Sequence, residues 1–325
     1  KRVFELLDEP SQTPDGENAR VLTDAEGTVE FSHVAFSYVP DRKLIENLNL
    51  HVEPGQRVAI VGPTGCGKTT IINLLMRFYD PQSGKITIDG YDINKDYLSI
   101  RSRVGYMPGR FSLYPDLSVE ENLHFFAALF GVEVEDSYDL IAPIYKQIEP
   151  FRTRRAGKLS GGMKQKLALS CALIHRPCVL FLDEPTTGVD AVSRSEFWDM
   201  LDGLRQRGIT ILVSTPYMDE ASRCDRIALC NEGRILDIDR PKDIVQGFDS
   251  QLYGIKANSM YSLLKAAREA EGVLDCYPFG ESHHLIVDNN FSLDDFRKRL
   301  KHLEGLEIVP IAPTIEDMFI KLMKR

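Results

Sequence analysis

Eight consecutive residues constrain this chain more than any other part of it. Residues 62–69 read Gly-Pro-Thr-Gly-Cys-Gly-Lys-Thr, a match to the spacing G-x-x-x-x-G-K-[ST] at every fixed position. The apolar run Arg57-Val58-Ala59-Ile60-Val61 leads into them, and residues 71–78 follow with the apolar spacing of a helix. A glycine loop between a strand and a helix is suited to holding phosphate. Gly62, Gly65 and Gly67 let backbone N–H groups turn inward, and the helix N-terminus adds positive potential. Pro63, Thr64 and Cys66 fill the loop between them, and Thr70 extends it into the helix. Lys68 can reach β and γ phosphate oxygens, and Thr69 can offer a hydroxyl to Mg²⁺. The bland alternative is a glycine turn that happens to precede a lysine, and the flanking strand and helix argue against it.

The rest of the chain fits a soluble α/β protein. At 325 residues it is long enough for two domains. The apolar share of 43% and charged share of 27%, with 23 Gly and 17 Pro, exclude collagen-like, low-complexity and disulfide-dense classes. A net charge of −9 argues against an unspecific polyanion binder, so no nucleic-acid partner is expected. No run approaches 18 uninterrupted apolar residues, so no helical membrane span is expected. Lys1-Arg2-Val3-Phe4-Glu5 lacks a signal-peptide run, and the absence of a first Met gives the expectation of a fragment or processed form. Cys66, Cys171, Cys178, Cys224, Cys230 and Cys276 contain no C-x-x-C pair, so reduced buried thiols are expected rather than a metal site or disulfides.

The pattern divides the chain into a lead-in (1–27), a main domain (28–248) and an accessory α+β domain (249–325). The lead-in is polar, with Pro10, Pro14 and Gly16. Alternating apolar positions predict strands through 29–38, 48–52 and 85–89. A helical region of about 115–174 follows, opened by the capping-box sequence Ser118-Val119-Glu120-Glu121 and containing further helices over 137–149 and from Ser160. Strands at 179–182, 209–213 and 227–230 alternate with helices at 193–205 and 217–223, which predicts a parallel sheet covered on both faces. The accessory domain is predicted as strand 253–256, helix 259–270, strand 284–288, helix 292–302 and strand 306–310.

Two more segments carry chemistry. The strand 179–182 runs into Asp183 and Glu184, placing two carboxylates at its C-terminal tip, where α/β sheets bind ligands. Asp183 could hold Mg²⁺ through water, and Glu184 could orient or deprotonate an attacking water. Ser160-Gly161-Gly162 gives a serine N-cap and two glycines, a helix N-terminus that a phosphate can approach closely.

With these residues in place, the sequence over about 28–245 resembles the ATP-binding cassette family, the nucleotide-hydrolysing subunits of membrane transporters. Leu159-Ser160-Gly161-Gly162-Met163 matches the family's signature, Tyr38 its adenine-stacking aromatic, and Gly188-Val189-Asp190 its D-loop. The resemblance implies a P-loop fold with an antiparallel β subdomain and a helical subdomain. It also implies ATP and Mg²⁺ as cofactors, and two cassettes (a homodimer or a related pair) facing head to tail. Ser160 and Gly162 would then touch the γ-phosphate held by the partner's loop. A transmembrane permease would be the other partner, at the cytoplasmic face of the cell membrane, and the isolated subunit would be soluble.

Two positions depart from the family pattern. Tyr106-Met107-Pro108 leads into Gly109 where the family has glutamine, and Ser214-Thr215 is followed by Pro216 where it has histidine. The departures imply slow hydrolysis, or a cassette that binds ATP as a structural or regulatory ligand, unless neighbours such as Arg110 or Tyr217 compensate. A non-transport cassette is the other alternative, and the lack of a long coiled-coil insertion counts against it. Residues 2–8 and 91–93 resemble exporter cassettes fused to transmembrane helices. From about Arg103, and again at 313–319, the chain resembles export ATPases with a separate permease, which implies a recombined cassette. In the tail, Arg297, Lys298, Arg299, Lys301 and His302 read as a solvated helix face. Ile315, Met318, Phe319 and Leu322 form a core or dimer stripe.

Overall fold

The computed structural model describes residues 26–39, 42–109 and 113–324. The lead-in therefore lies outside the described residues except for its last two, and so do residues 2–8 and Arg110. The chain divides into two compact units, one ending at Pro241 and one beginning at Lys242. Among the described residues no helix is long and apolar enough to cross a membrane.

The first unit contains β1 (Val29–Phe36), β2 (Ile45–Val52), β3 (Arg57–Val61), β4 (Ser83–Ile88), β5 (Tyr91–Asp92), β6 (Val104–Met107), β7 (Val179–Asp183), β8 (Thr210–Thr215), β9 (Arg226–Asn231) and β10 (Arg234–Asp239). An antiparallel sheet has the order β2-β1-β4-β5. In β1 the buried residues Val29, Phe31, Val34 and Phe36 are spaced two, three and two apart. A strict period of two would turn the second pair to solvent. A register shift between Phe31 and Val34, with His33 at φ 51°, resets the phase and keeps all four inside.

The second sheet has the order β10-β9-β3-β8-β7-β6, parallel throughout except at the β10 edge. Every residue of β3, β7 and β8 is buried, which is why these strands read as continuous apolar runs. Because β3 and β7 flank β8, the C-terminal tips of all three lie side by side. The helix Lys68–Leu75 follows β3. It is displaced from the expected 71–78, and Arg77 at φ 50° lies outside helical geometry.

Between β6 and β7 lie the helices Val119–Phe130, Tyr138–Tyr145 and Gly161–Leu173. Ser118 and Glu121 form the reciprocal capping box, and Ser160 caps the third helix by accepting the Met163 N–H at 3.3 Å. The helix Ala191–Gln206 separates β7 from β8, and the predicted 217–223 helix contracts to Met218–Ala221.

The second unit is an antiparallel sheet of β11 (Gln251–Lys256), β12 (Val273–Phe279), β13 (Ser282–Val287) and β14 (Glu307–Pro310), in the order β12-β13-β11-β14. Its core gathers Ile255, Leu263, Cys276, Leu285, Phe296 and Leu300. Helix Ile315–Met323 buries Ile315, Met318 and Phe319, while the basic cluster 297–302 is exposed apart from Leu300.

Candidate functional site

The glycine loop is shaped by what surrounds it. A Cβ on Gly62 would lie 2.0 Å from the Cys230 carbonyl oxygen, and Gly67 adopts φ 110° at the helix N-cap, so both positions require glycine. Lys68 opens the helix with its side chain buried. Its Nζ donates to the Gly62 and Pro63 carbonyls at 2.8 and 3.0 Å and lies 3.6 Å from Glu184 Oε1. The ammonium is thus folded over its own loop, facing a carboxylate just past the end of β7.

The next side chain reaches β7 itself. Thr69 Oγ1 donates to Asp183 Oδ1 at 3.1 Å, and Ser214 Oγ donates to the same oxygen at 2.5 Å. The Glu184 N–H donates back to Ser214, to both the carbonyl and the hydroxyl oxygen at 3.0 Å. Glu184 has φ 45°, which costs a non-glycine residue about 1–2 kcal/mol. Beside them, burial first and then the Asp183 charge push the Tyr106 phenol up to about 12. One cation, two hydroxyls and two acids therefore converge at the three strand tips. Thr69 and Asp183 offer adjacent oxygen donors, and that all-oxygen set fits a hard cation such as Mg²⁺.

Tyr38 lies outside the core, with its residue 50% exposed, its hydroxyl 3.2 Å from Thr70 Oγ1 and its ring edge-on to Phe36 and Tyr79. Loop residues 62–70, Asp183 and Glu184 come together; Tyr38 joins them at Thr70. Ser160, Gly161 and Gly162 stand apart, where the nearest atoms around the two glycines belong to Gly188 and Ser193.

At the two departing positions, Gly109 is packed so closely that a Cβ there would lie 2.8 Å from the Asp183 carbonyl oxygen. Pro216 ends β8, and the residues around it are tied down. The buried Glu220 carboxylate accepts from the Thr186 and Thr215 hydroxyls, both at 2.7 Å, and Arg194 lies 3.8 Å away. Neither Ser214 nor Glu220 was singled out from the sequence. The signal for Ser214 was a hydroxyl at the tip of an otherwise apolar strand.

A P-loop whose lysine and threonine each meet a carboxylate at the tips of a parallel sheet defines a nucleotide-binding protein. The family model described as "ABC transporter" matches residues 45–187. The chain is 38% identical over 290 residues to a probable multidrug ABC transporter ATP-binding protein of Escherichia coli K12, covering 87% of this chain and 50% of that protein. It is 34% identical over 304 residues to the Nod factor export ATP-binding protein I of Burkholderia thailandensis, covering 91% of this chain and 97% of that protein. The chain thus spans half the length of the first relative and almost all of the second. Among solved structures, an ATP-bound bacterial Atm1-family ABC exporter matches with TM-score 0.65 and 28% identity, over 83% of this chain and 46% of that one. An ATP-binding subunit of an ABC transporter matches with TM-score 0.62 and 27% identity, over 68% and 92%. The chain belongs to the ABC transporter family of ATP-binding proteins.

Proposed function

We propose that the chain is the ATP-hydrolysing subunit of an export system and works through ATP-driven pairing of two cassettes. The observation that carries this reading is the convergence of Lys68, Thr69, Asp183 and Glu184 at the strand tips. Lys68 would exchange its two loop carbonyls for β and γ phosphate oxygens. Magnesium, when bound, would offset charge on those phosphates, and Thr69 and Asp183 are the residues placed to hold it. Glu184 would take the proton from the attacking water, and Tyr38 would stack on adenine. Ser160 and Gly162 would meet a γ-phosphate bound by a second copy.

Export is supported by the name of the Burkholderia relative and transport by that of the Escherichia coli one, and a permease partner by a groove of about 770 Å³. Phe78, Tyr79, Tyr97, Phe126, Leu129 and Phe130 are among its lining residues, and Phe78, Tyr79 and Leu129 are exposed. An apolar helix of the permease would dock there, placing this subunit at the cytoplasmic face of the membrane.

The close packing at Gly109 and the proline at 216 favour a second reading, in which nucleotide is bound but turned over slowly or not at all. Phosphate release by wild type, Lys68→Ala and Glu184→Gln decides between them. Lys68→Ala is expected to lose ATP binding. Glu184→Gln is expected to keep it while turnover falls by about 100-fold or more. Turnover unchanged in Glu184→Gln removes the role of Glu184; wild type that binds ATP without turnover establishes the second reading.

A further inference from the structure

Asp183 and Ser214 are direct neighbours in the parallel register of β7 and β8. Ser214 is fully buried, so its hydroxyl must find its partners inside the protein. It donates to Asp183 Oδ1 at 2.5 Å and accepts the Glu184 N–H at 3.0 Å. One hydroxyl therefore holds the side chain of one acid and the backbone of the next. The Glu184 backbone needs such a hold, because its φ of 45° is one that a glutamate rarely adopts unaided. The two bonds also divide the work at Asp183 Oδ1, which takes Thr69 from the loop side and Ser214 from the sheet side. Around it, Thr215 and Glu220 fix the end of β8, so the hydroxyl is presented from a rigid strand tip. Positions 109 and 216, as glycine and proline, carry no polar side chain that could share this task.

We infer that Ser214 is a positioning residue, which aims Asp183 at the magnesium position beside Thr69 and turns Glu184 toward the γ-phosphate end of the loop. The inference rests on the ATP-hydrolysing reading for the role of Glu184 and on nucleotide binding alone for the role of Asp183. Loss of the hydroxyl leaves the glycine loop and Lys68 in place. Its effect should fall on the magnesium-dependent part of binding and on turnover, not on bare nucleotide affinity.

The test uses the full chain as wild type, Ser214→Ala, Ser214→Cys and Ser214→Thr, with a fluorescent ATP analogue titrated in EDTA and across a magnesium series. In EDTA all four proteins are expected to bind within about twofold of one another. Ser214→Ala and Ser214→Cys are expected to need about 10-fold more magnesium for half-maximal enhancement, the scale of an outer-sphere loss at a metal site. Their kcat is expected to fall at least as far with little change in KM, and Ser214→Thr is expected to restore both to within about threefold. Unchanged magnesium dependence in Ser214→Cys or Ser214→Ala overturns the inference, and so does equal weakening with and without magnesium. Wild type without turnover overturns only the hydrolytic reading, since the magnesium series still decides Ser214.

Discussion

Cys66 and Cys230 present two thiols at the base of the phosphate loop, and the pair divides its acidity unequally. A hydrogen bond from Cys230 draws the Cys66 thiol down to about 7, against the opposing effect of burial and with help from the Lys68 charge. Cys230 moves the other way, because its bond to Cys66 and its burial both favour the protonated form. Burial also pushes Cys171, Cys178, Cys224 and Cys276 up. A thiolate is the reactive form, so alkylation of Cys66 by iodoacetamide should climb through pH 7 and level off by about pH 8. Cys230→Ala should move that climb upward. With Cys66 only 3% exposed, the rate will be slow throughout, and MgATP should slow it further. Peptide mass mapping over pH 6–9 reads this directly. A Cys66 rate still rising in proportion to hydroxide at pH 9 would remove the assignment. The sequence placed Cys66 at a helix N-terminus, but Cys230 lies 164 residues further on and its contact is made only by the fold.

At the scale of elements, the helix Ile315–Met323 begins with a cap that carries more than a cap usually does. The Asp317 carboxylate closes a capping box by accepting the Thr314 N–H and hydroxyl, both at 2.7 Å. It also accepts the Tyr277 hydroxyl and the His284 Nδ1–H, both at 2.6 Å, from β12 and β13. Burial by itself would raise the Asp317 pKa, but the bonds from Tyr277, Thr314 and His284 outweigh it and hold the group below its ordinary value. A depressed folded pKa means a contribution fully present above the unfolded value of about 3.9 and lost as pH falls through the folded one. Calorimetry of the full chain should therefore show an acid limb below about pH 4 that flattens in Asp317→Asn. Asp317→Ala, which orphans several buried donors, should cost about 3 kcal/mol at pH 7. Identical acid limbs in wild type and Asp317→Asn would refute this. The i, i+3, i+4, i+7 stripe made this helix legible in the sequence, and continuous apolar runs made β3, β7 and β8 legible. Four strands escaped because the pattern that marks a strand was missing, the shortest being β5 with two residues. In β10 the run Arg-Ile-Leu-Asp-Ile-Asp lies half-buried on an antiparallel edge, β6 is only four residues long, and β12 carries Asp275 and Pro278. The glycine loop and acidic tip could be read because their chemistry is local, whereas the Ser214 and Glu220 links exist only across strands and turns.

For the whole molecule, the decisive question is how many copies make a site. The Ser160 turn caps its own helix, and the nearest atoms around its glycines belong to Gly188 and Ser193. The residues gathered around Lys68 come from other strands and turns. If the turn serves a γ-phosphate, that phosphate belongs to a second copy, and ATP becomes part of the interface between them. Two bound nucleotides would then shift the equilibrium toward the pair, by an amount set by how much better the pair holds ATP than one copy does. ADP lacks the bridging group and should shift it little. Light scattering of Glu184→Gln at saturating ATP and magnesium should report a mass near twice that of the single chain, and the single-chain mass with ADP. Ser160→Arg in the same background should bind ATP as before yet remain single, because the bulky side chain stands on the surface that must close. Since mass action governs the pair, the doubled species should also dissolve on dilution well below its dissociation constant. Single subunits at saturating ATP and high protein concentration, with binding confirmed on the same sample, would refute the shared site and leave a cassette that holds its nucleotide alone.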